Sequence, residues 1–226
     1  MRRAAAILVL AVLAVGFGCA LAAIPFGKDK IDVGNYYIRE GVKETGATNI
    51  VTSVVVNYRG LDTLGEVTIL FVAAVGVAVM LCAEPGERER ERETASVIVS
   101  TGARLLFPLI ILFGIYVFLH GHLTPGGGFQ GGAVIASGFL LLYLARPEQT
   151  IGRANLTAVE GLGGLVFVIV GLLGIAFSGY FLQNFLAKGR PNLLLSAGII
   201  PLLYVAIGVK VGSELARIIA DLMERD

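Results

Sequence analysis

The stretch that decides the fold is His120-Gly121-His122-Leu123-Thr124-Pro125-Gly126-Gly127-Gly128-Phe129-Gln130-Gly131-Gly132, which contains both histidines of the chain. Uncharged apolar runs adjoin it, upstream over residues 105–119 and downstream over residues 131–145. Backbone groups inside a bilayer need hydrogen-bond partners that lipid does not supply. A polar, glycine-dense link between two such runs is therefore predicted to lie at or near a membrane face.

The composition is that of an integral membrane protein. Of the 226 residues, 56% are hydrophobic, whereas soluble domains are usually about 45–50% apolar. The formal net charge is +1, so there is no basic excess and no nucleic-acid partner is expected. Cys19 and Cys82 lie in separate apolar runs with no metal-binding spacing, so we expect no metal ion and no cofactor.

The apolar runs predict an all-α polytopic membrane protein with about six transmembrane helices. The first apolar run, residues 4–24, is long enough at about 1.5 Å per residue to cross a membrane core of roughly 30 Å. A cleaved signal peptide is the alternative for this run, because basic residues precede it and Ala20-Leu21-Ala22 has the small-x-small form. The chain divides into an N-terminal membrane helix (1–24), an extracytoplasmic loop (25–48), a one-span module (49–83), a charged cytoplasmic tether (84–101) and a four-helix module (102–226).

Details within these segments are also predicted. Residues 49–56 are too short to span and indicate an interfacial or re-entrant helix that breaks at Gly60. Glu160 is expected at the level of the lipid headgroups. The last span, residues 193–209, should kink at Pro201 in mid-membrane. It continues into an amphipathic tail whose apolar face carries Leu215, Ile218, Ile219 and Leu222.

A charged cluster stands at the start of the second span. Asp62 and Glu66 are four residues apart and share a helix face, and Arg59 precedes Asp62 by three residues. Two carboxylates held close in a low dielectric cannot both ionise cheaply, so one of them is able to exchange a proton or a cation. Helix capping is the alternative role for Asp62. Glu66 lies deeper, where ionisable residues are usually functional.

The central link itself permits several interpretations. His120 ends a helix, where a protonated imidazole is favoured, and is either a proton relay or a structural hydrogen-bonding group; His122 is interpreted as structural. The glycines allow tight turns and close helix packing, and they are Gly126, Gly127, Gly128, Gly131 and Gly132. A phosphate-binding loop is excluded because no Lys-Ser/Thr pair follows the glycines. A metal site is disfavoured because no carboxylate or cysteine accompanies the histidines.

Two motifs resemble known families. The pattern from Leu112-Phe113-Gly114 to Gly132 resembles the MnhB family, the B-type subunits of the multisubunit Mrp-type Na⁺/H⁺ antiporters. A second motif resembles the C-terminal part of the large A-type Mrp subunit, a unit that recurs in membrane-bound hydrogenases and is similar to a subunit of respiratory complex I; it comprises Asn57, Arg59, Gly60, Asp62, Thr63, Gly65 and Glu66. The resemblance implies that Glu66 lines a lateral ion path.

The resemblance implies a membrane subunit of a cation/proton (Na⁺/H⁺) antiporter that helps to form the ion or proton path. Glu66 and Asp62 are predicted to handle the ion, Arg59 to tune them, and His120 to be a candidate relay. An accessory ion-translocating subunit of a redox complex such as a membrane-bound hydrogenase is the alternative, and a scaffold is the third. The chain is not expected to be an enzyme, and we expect no catalytic residue. It could not itself carry the redox chemistry of such a complex, because it lacks a cysteine cluster or haem-ligand pair.

The same reasoning predicts the partners, the location and the orientation of the chain. The expected partners are other membrane subunits of a hetero-oligomeric complex, membrane lipid, and Na⁺ or H⁺. The distribution of Lys and Arg predicts a multi-pass protein of a prokaryotic inner membrane, with cytoplasmic termini and the central link outside. Which cation is carried, and whether a redox reaction drives its movement, stay open.

Overall fold

A computed structural model of the chain describes residues 2–24, 32–83, 95–146 and 152–223. All regular secondary structure in these ranges is helical, which confirms the all-α prediction. The helices are α1 (Arg2–Ala23), α2 (Val33–Thr45), α3 (Ile50–Thr52), a π-helix (Ser53–Tyr58), α4 (Gly60–Ala83), α5 (Val97–Leu119), α6 (Gly128–Ala145), α7 (Arg153–Ser178) and α8 (Ile200–Met223).

Five helices in the described part of the chain are long and apolar enough to cross a membrane: α1, α4, α5, α6 and α7. They confirm a polytopic membrane protein. The sixth predicted span corresponds to α8, which has 24 residues. This helix is less apolar than the other five, since it contains Lys210, Glu214 and Arg217.

The chain divides into two compact units, residues 1–36 and residues 37–226. In the first, taken by itself, α1 exposes every residue from Ala4 to Ile24. In the second, α8 is the central helix and contacts α4, α5, α6 and α7. The sequence-predicted modules 49–83 and 102–226 both belong to this second unit, so their described residues pack as one body.

The prediction of a loop over residues 25–48 is wrong for residues 33–45, which form α2. Tyr37, Gly41 and Thr45 recur every four residues and form one face of this helix. The Tyr37 ring stacks on Tyr58 with centroids 4.6 Å apart, and Thr45 Oγ1 lies 2.7 Å from Ser53 Oγ. Because the charges of this segment are balanced in sign, the sequence pattern indicates a loop. The packing face of the helix consists of small and aromatic residues.

The segment before α4 agrees with the predicted short helix. It consists of α3 followed by the π-helix, and the chain breaks at Arg59, whose φ is −124° and ψ is 36°. The break therefore comes one residue before the predicted Gly60. After α4, the predicted tether 84–101 overlaps the start of α5 at Val97, and residues 84–94 lie outside the described residues.

The prediction of a last span over residues 193–209 with a mid-membrane kink is wrong. Residues 179–199 form an irregular loop and α8 begins at Ile200. Pro201 therefore lies in the first helical turn, where its missing N–H removes no helical hydrogen bond. Asn184 organises the loop, since its Oδ1 accepts from the Ile199 N–H at 3.2 Å and its Nδ2 donates to the Ala197 carbonyl at 3.1 Å.

Glycines bring α6 into direct contact with α5 and α8, and they include Gly131 and Gly132, for which close packing is predicted. A Cβ on Gly131 would lie 2.7 Å from the Gly114 carbonyl oxygen of α5. A Cβ on Gly132 would lie 2.9 Å from the Gly212 nitrogen of α8, and one on Gly128 would lie 2.6 Å from Ile207 Cβ. No side chain fits at these three positions unless a neighbouring backbone moves.

We expect Gly132→Leu to destabilise the full chain by about 1–3 kcal/mol or more, because overpacking a filled contact forces backbone shifts. Gly161→Leu is the matched control, since a Cβ at Gly161 meets nothing within 4 Å. Thermal unfolding of the purified full chain in detergent measures both. Equal midpoints for the two variants would contradict the close α6–α8 contact.

Candidate ion-path site

Three connecting segments meet at one end of the second unit. They are the link between α2 and α3, the central link between α5 and α6, and the loop between α7 and α8. The Asn49 N–H donates to the His122 carbonyl at 3.1 Å, and Thr48 Oγ1 donates to Asn192 Oδ1 at 2.9 Å. Two long helices separate each pair of consecutive segments, α4 and α5 between the first two and α6 and α7 between the last two, so each pair of long helices runs out and back. This arrangement agrees with the predicted order of the spans.

The central link is held in place by hydrogen bonds from other segments, and the sequence of the link does not predict them. The Gly121 carbonyl accepts from Asn49 Nδ2 at 2.9 Å and from Thr52 Oγ1 at 2.7 Å. Tyr204 of α8 then donates its hydroxyl to Thr52 Oγ1 at 2.7 Å. Gly121 has no room for a side chain, since a Cβ there would lie 2.5 Å from Tyr204 Cε2. The link is thereby tied to both α3 and α8.

Sequence reasoning missed Asn49, Thr52 and Tyr204 as partners of the link. A signal existed for Asn49, which stands immediately before a helix and whose Oδ1 accepts from the Val51 N–H at 3.1 Å. Asparagine is a favoured N-cap residue. Its second role, donating to the link, depends on the chain returning 72 residues later, and no local pattern reports that.

The two histidines lie in different environments. His122 is fully buried, and its Nε2 lies 3.4 Å from the Leu193 carbonyl oxygen. Burial lowers the pKa of His122, and the hydrogen bond to Leu193 opposes that shift. These contacts fit the structural role predicted for His122.

His120 is half-buried, and its ring stacks on Tyr116 with centroids 4.2 Å apart. Its Nδ1 lies 3.1 Å from the Tyr116 carbonyl oxygen. In the described ranges, no hydrogen bond or ion pair joins His120 to Arg59, Asp62 or Glu66. The histidine and the charged cluster are therefore separate groups within this chain.

The charged cluster lies on the outside of α4. Arg59, at the break before α4, forms an ion pair with Asp62, and their side chains are 64% and 52% exposed. Glu66 is exposed one turn further along. The opposite side of α4 is anchored, since Val67 is buried and Thr63 Oγ1 donates to the Val55 carbonyl at 2.7 Å. Both predicted carboxylates thus point away from the core of this chain.

A second group of charges, missed from the sequence, is buried between α7 and α8. Glu160, expected at the headgroup level, is only 3% exposed, and its Oε2 lies 3.3 Å from Arg217 Nε. Lys210 Nζ donates to Glu214 Oε2 at 2.7 Å. The spacing of Lys210, Glu214 and Arg217 by four and three residues places them on one helix face, and that spacing was the available signal.

The most buried residues in the second half of α8 are not those of the predicted apolar face. Leu215, Ile218, Ile219 and Leu222 are all partly or fully exposed, whereas Glu214, Ala216 and Ala220 are buried. In membranes, small and polar residues favour helix–helix contacts, while large apolar residues are equally stable against lipid. Much of the inward side of α8 is nevertheless apolar, since Leu203, Ile207 and Val211 are buried and Leu215 packs against the core.

We expect acid to destabilise this protein partly through His122. Because its pKa is lower in the folded chain than the value of about 6.5 in an unfolded one, the unfolded chain binds the proton more tightly. The free energy of unfolding therefore falls as pH drops below about 6.5. Thermal unfolding between about pH 8 and about pH 5 should show a smaller loss for His122→Gln than for the unmodified chain. Parallel losses would contradict this assignment.

Comparison with protein families gives two matches that together span most of the chain. A family described as "Domain related to MnhB subunit of Na+/H+ antiporter" matches residues 98–216. A second family, MbhE, described as the E subunit of MBH, matches residues 1–91. The boundary between the matches falls between α4 and α5.

Similar proteins occur in bacteria and archaea. An uncharacterized protein of Methanocaldococcus jannaschii is 32% identical over 85% of this chain and 86% of its own. The B-type subunit of a Na⁺/H⁺ antiporter of Bacillus subtilis is 38% identical over 42% of this chain and 68% of its own. The chain spans 14% of the A/B-type subunit of a probable K⁺/H⁺ antiporter of Rhizobium meliloti, at 28% identity over half of this chain.

Two solved structures share the fold. A chain of the membrane-bound sulfane sulfur reductase, an archaeal respiratory membrane complex, is 50% identical with a TM-score of 0.79, and the match covers 98% of both chains. A chain of the Mrp complex of Dietzia sp. is 29% identical with a TM-score of 0.76, and the match covers all of this chain and 26% of that one.

Proposed function

Because this chain belongs to the family of domains related to the MnhB subunit of Na⁺/H⁺ antiporters, we propose that it is a membrane subunit of a multisubunit cation/proton antiporter module and helps to form its ion or proton path. The similarity to a B-type antiporter subunit and to a chain of the Mrp complex supports this function. On this proposal the chain is a transport subunit, with other membrane subunits as partners and Na⁺ or H⁺ as cargo.

The position of Glu66 is the observation that carries the proposal. Glu66 lies in a candidate span, Gly60–Leu81, on the side of α4 that this chain leaves exposed. A carboxylate facing lipid is costly, and ionisable residues in spans normally face protein or a water-filled cavity. We therefore propose that another membrane subunit covers this side of α4 and that the ion moves along the boundary between the two.

The remaining site residues take roles around Glu66. Asp62, one turn earlier on the same helix face, is proposed to pass the cation or proton between Glu66 and the membrane surface. Arg59 forms an ion pair with Asp62 and is proposed to hold that carboxylate in place at the start of the span. His120, half-buried near the end of α5, is proposed as a separate proton relay at that membrane face.

We also propose the orientation of the chain. Lys and Arg residues on the two termini and on the links that follow α4 and α6 outnumber those on the three connecting segments that meet at the other end. The positive-inside rule then puts the termini in the cytoplasm of a prokaryote, in its inner membrane, and the central link outside.

A second candidate is an ion-translocating subunit in the membrane arm of a respiratory redox complex. The observation that favours it is the 50% identity over 98% of both chains to a chain of an archaeal respiratory membrane complex. The match of residues 1–91 to the MbhE family points the same way. In either host the chain handles the ion, and other subunits supply the driving reaction.

We expect Glu66→Gln to reduce cation-driven proton movement at least tenfold in proteoliposomes containing the purified host complex, while the complex still assembles. An amide keeps the shape of the side chain but cannot ionise. Glu40→Gln is the control, because Glu40 lies on α2 and pairs with Lys43 at 3.2 Å near the surface. Full transport by the Glu66→Gln complex would contradict a role for Glu66 in the ion path and would support the interpretation of the chain as a scaffold.

The two host complexes differ in composition, and mass spectrometry of the gently purified native complex separates them. Antiporter-like subunits without iron are expected for a secondary antiporter. Stoichiometric iron–sulfur or nickel proteins are expected for a respiratory membrane arm. Purification of the chain without any other membrane subunit would contradict both.

A further inference from the structure

Four side chains of alternating charge connect α7 and α8; three of them are buried and the fourth, Arg217, is partly buried. Lys210 and Glu214 form a 2.7 Å ion pair, with side chains 9% and 0% exposed. Arg217 and Glu160 form a second pair at 3.3 Å, with side chains 15% and 4% exposed. Glu160 also interacts electrostatically with Glu214 and Lys210, so the four side chains form one group, which we call the buried charge row.

The buried charge row is an expensive way to join two helices. Removing charges from water is costly, and well-packed apolar residues often replace a buried pair without loss of stability. Ionisable residues within membrane helices more often mark a path for ions or protons. A row maintained at this cost therefore points to use of the charges themselves.

The hydrogen bonding of the buried charge row is incomplete. Glu214 Oε1 and Arg217 Nη2 are buried and have no hydrogen-bond partner in the described part of the chain. A structural clamp gains stability only when such atoms are satisfied. Glu214 instead keeps one free carboxylate oxygen, and it lies on the same helix face as both Lys210 and Arg217. It is thus able to exchange partners or accept a proton.

The buried charge row occupies the middle and one end of the helix bundle. Lys210 lies about 15 Å along α8 from Ile200, and Arg217 about 25 Å, at about 1.5 Å per residue, whereas a membrane core is roughly 30 Å thick. Lys210 Nζ also lies 5.6 Å from the centroid of the Phe71 ring of α4. Phe71 is five residues beyond Glu66, so the row begins beside the helix of the proposed ion path and leads away from the central link.

Two glycines of α7 make room for Lys210. A Cβ on Gly163 would lie 3.0 Å from Lys210 Cβ, and one on Gly164 would lie 3.6 Å from Lys210 Cε. The lysine stem therefore runs against bare α7 backbone. Its ammonium group is brought to Glu214 inside the bundle and away from lipid.

We propose that Glu160, Lys210, Glu214 and Arg217 form a proton relay inside this chain, with Glu214 as the group that gains and loses the proton. Transfer of a proton from Glu160 to Glu214 leaves Glu160 ionised beside Arg217, and it neutralises the Glu214 carboxylate and breaks its ion pair with Lys210. Loss of the proton restores the carboxylate and re-forms the pair, so no other reactant is needed. The relay rests on the proposed function, since it supplies the proton half of cation/proton exchange.

The test compares variants of the whole complex in proteoliposomes, with a fluorescent pH indicator reporting proton movement driven by Na⁺, K⁺ or Li⁺. We expect Glu214→Gln to reduce proton movement at least tenfold while co-purification of the other subunits is unchanged. The matched control is the exposed pair of α2, where Glu40→Gln and Lys43→Met should leave transport unchanged.

A double variant separates a relay from a clamp. In Lys210→Met/Glu214→Met, apolar side chains of similar length replace the buried pair, so the thermal stability of the complex should be retained or raised. A relay predicts the same tenfold loss of proton movement in this stable variant. Proton movement at the rate of the unmodified complex would overturn the relay and show that the charged pair only joins the two helices.

Two further results distinguish failure of the relay from failure of the proposed function. If Glu66→Gln abolishes transport and Glu214→Gln does not, the relay is wrong and the antiporter function stands. If the unmodified complex moves no protons with any cation, the proposed function is wrong. Should Glu214→Gln fail to assemble, Glu214→Asp keeps the ionisable group, and the relay then requires measurable proton movement in that variant.

Discussion

Direct backbone contact between α6 and α8 is the constraint on which the second unit depends. Lipid is as apolar as leucine, so burying large apolar side chains contributes little free energy to the association of these helices. Association comes from close packing, and Gly128 and Gly132 supply it by letting Ile207 and Gly212 approach. On the other side of α6, Gly131 does the same with Gly114 of α5. Small residues thus hold three helices together.

The central link follows from that contact. Since α6 starts at Gly128 against α8, the preceding residues are held over the end of α8, where Tyr204 leaves no space beyond the glycine at position 121. The hydrogen bonds from Asn49 and Thr52 then attach α3 to the same point. The N-terminal part of the second unit is thereby positioned by the glycine-rich link, and α4 with Glu66 is positioned in turn.

The charges of the chain fall into two classes. The carboxylates of α4 face outward and require a neighbour, which fits a subunit of a larger complex. The buried charge row faces inward between α7 and α8 and requires nothing from outside for its ion pairs. A subunit with both classes is suited to work at a boundary on one side while keeping ionisable groups within its own helices.

The sequence by itself determined the fold class, the spans before residue 179, the presence on α6 of glycines that leave room for close packing, and the family, because these depend on composition, local runs and a specific motif. It also determined that Arg59 and Asp62 lie within reach of each other, since helical spacing is local. It did not determine α2, because the balanced charges of that segment made its packing face hard to recognise. It did not determine the start of α8 either, because the apolar residues before Ile200 belong to an irregular, turn-rich loop. Only the tertiary structure decided that Glu160 is buried opposite Arg217, that Lys210 and Glu214 face inward, and that Asn49 and Thr52 hold the central link. The physical reason is that each depends on which face of a helix meets another helix, and in a membrane hydrophobicity alone does not choose that face.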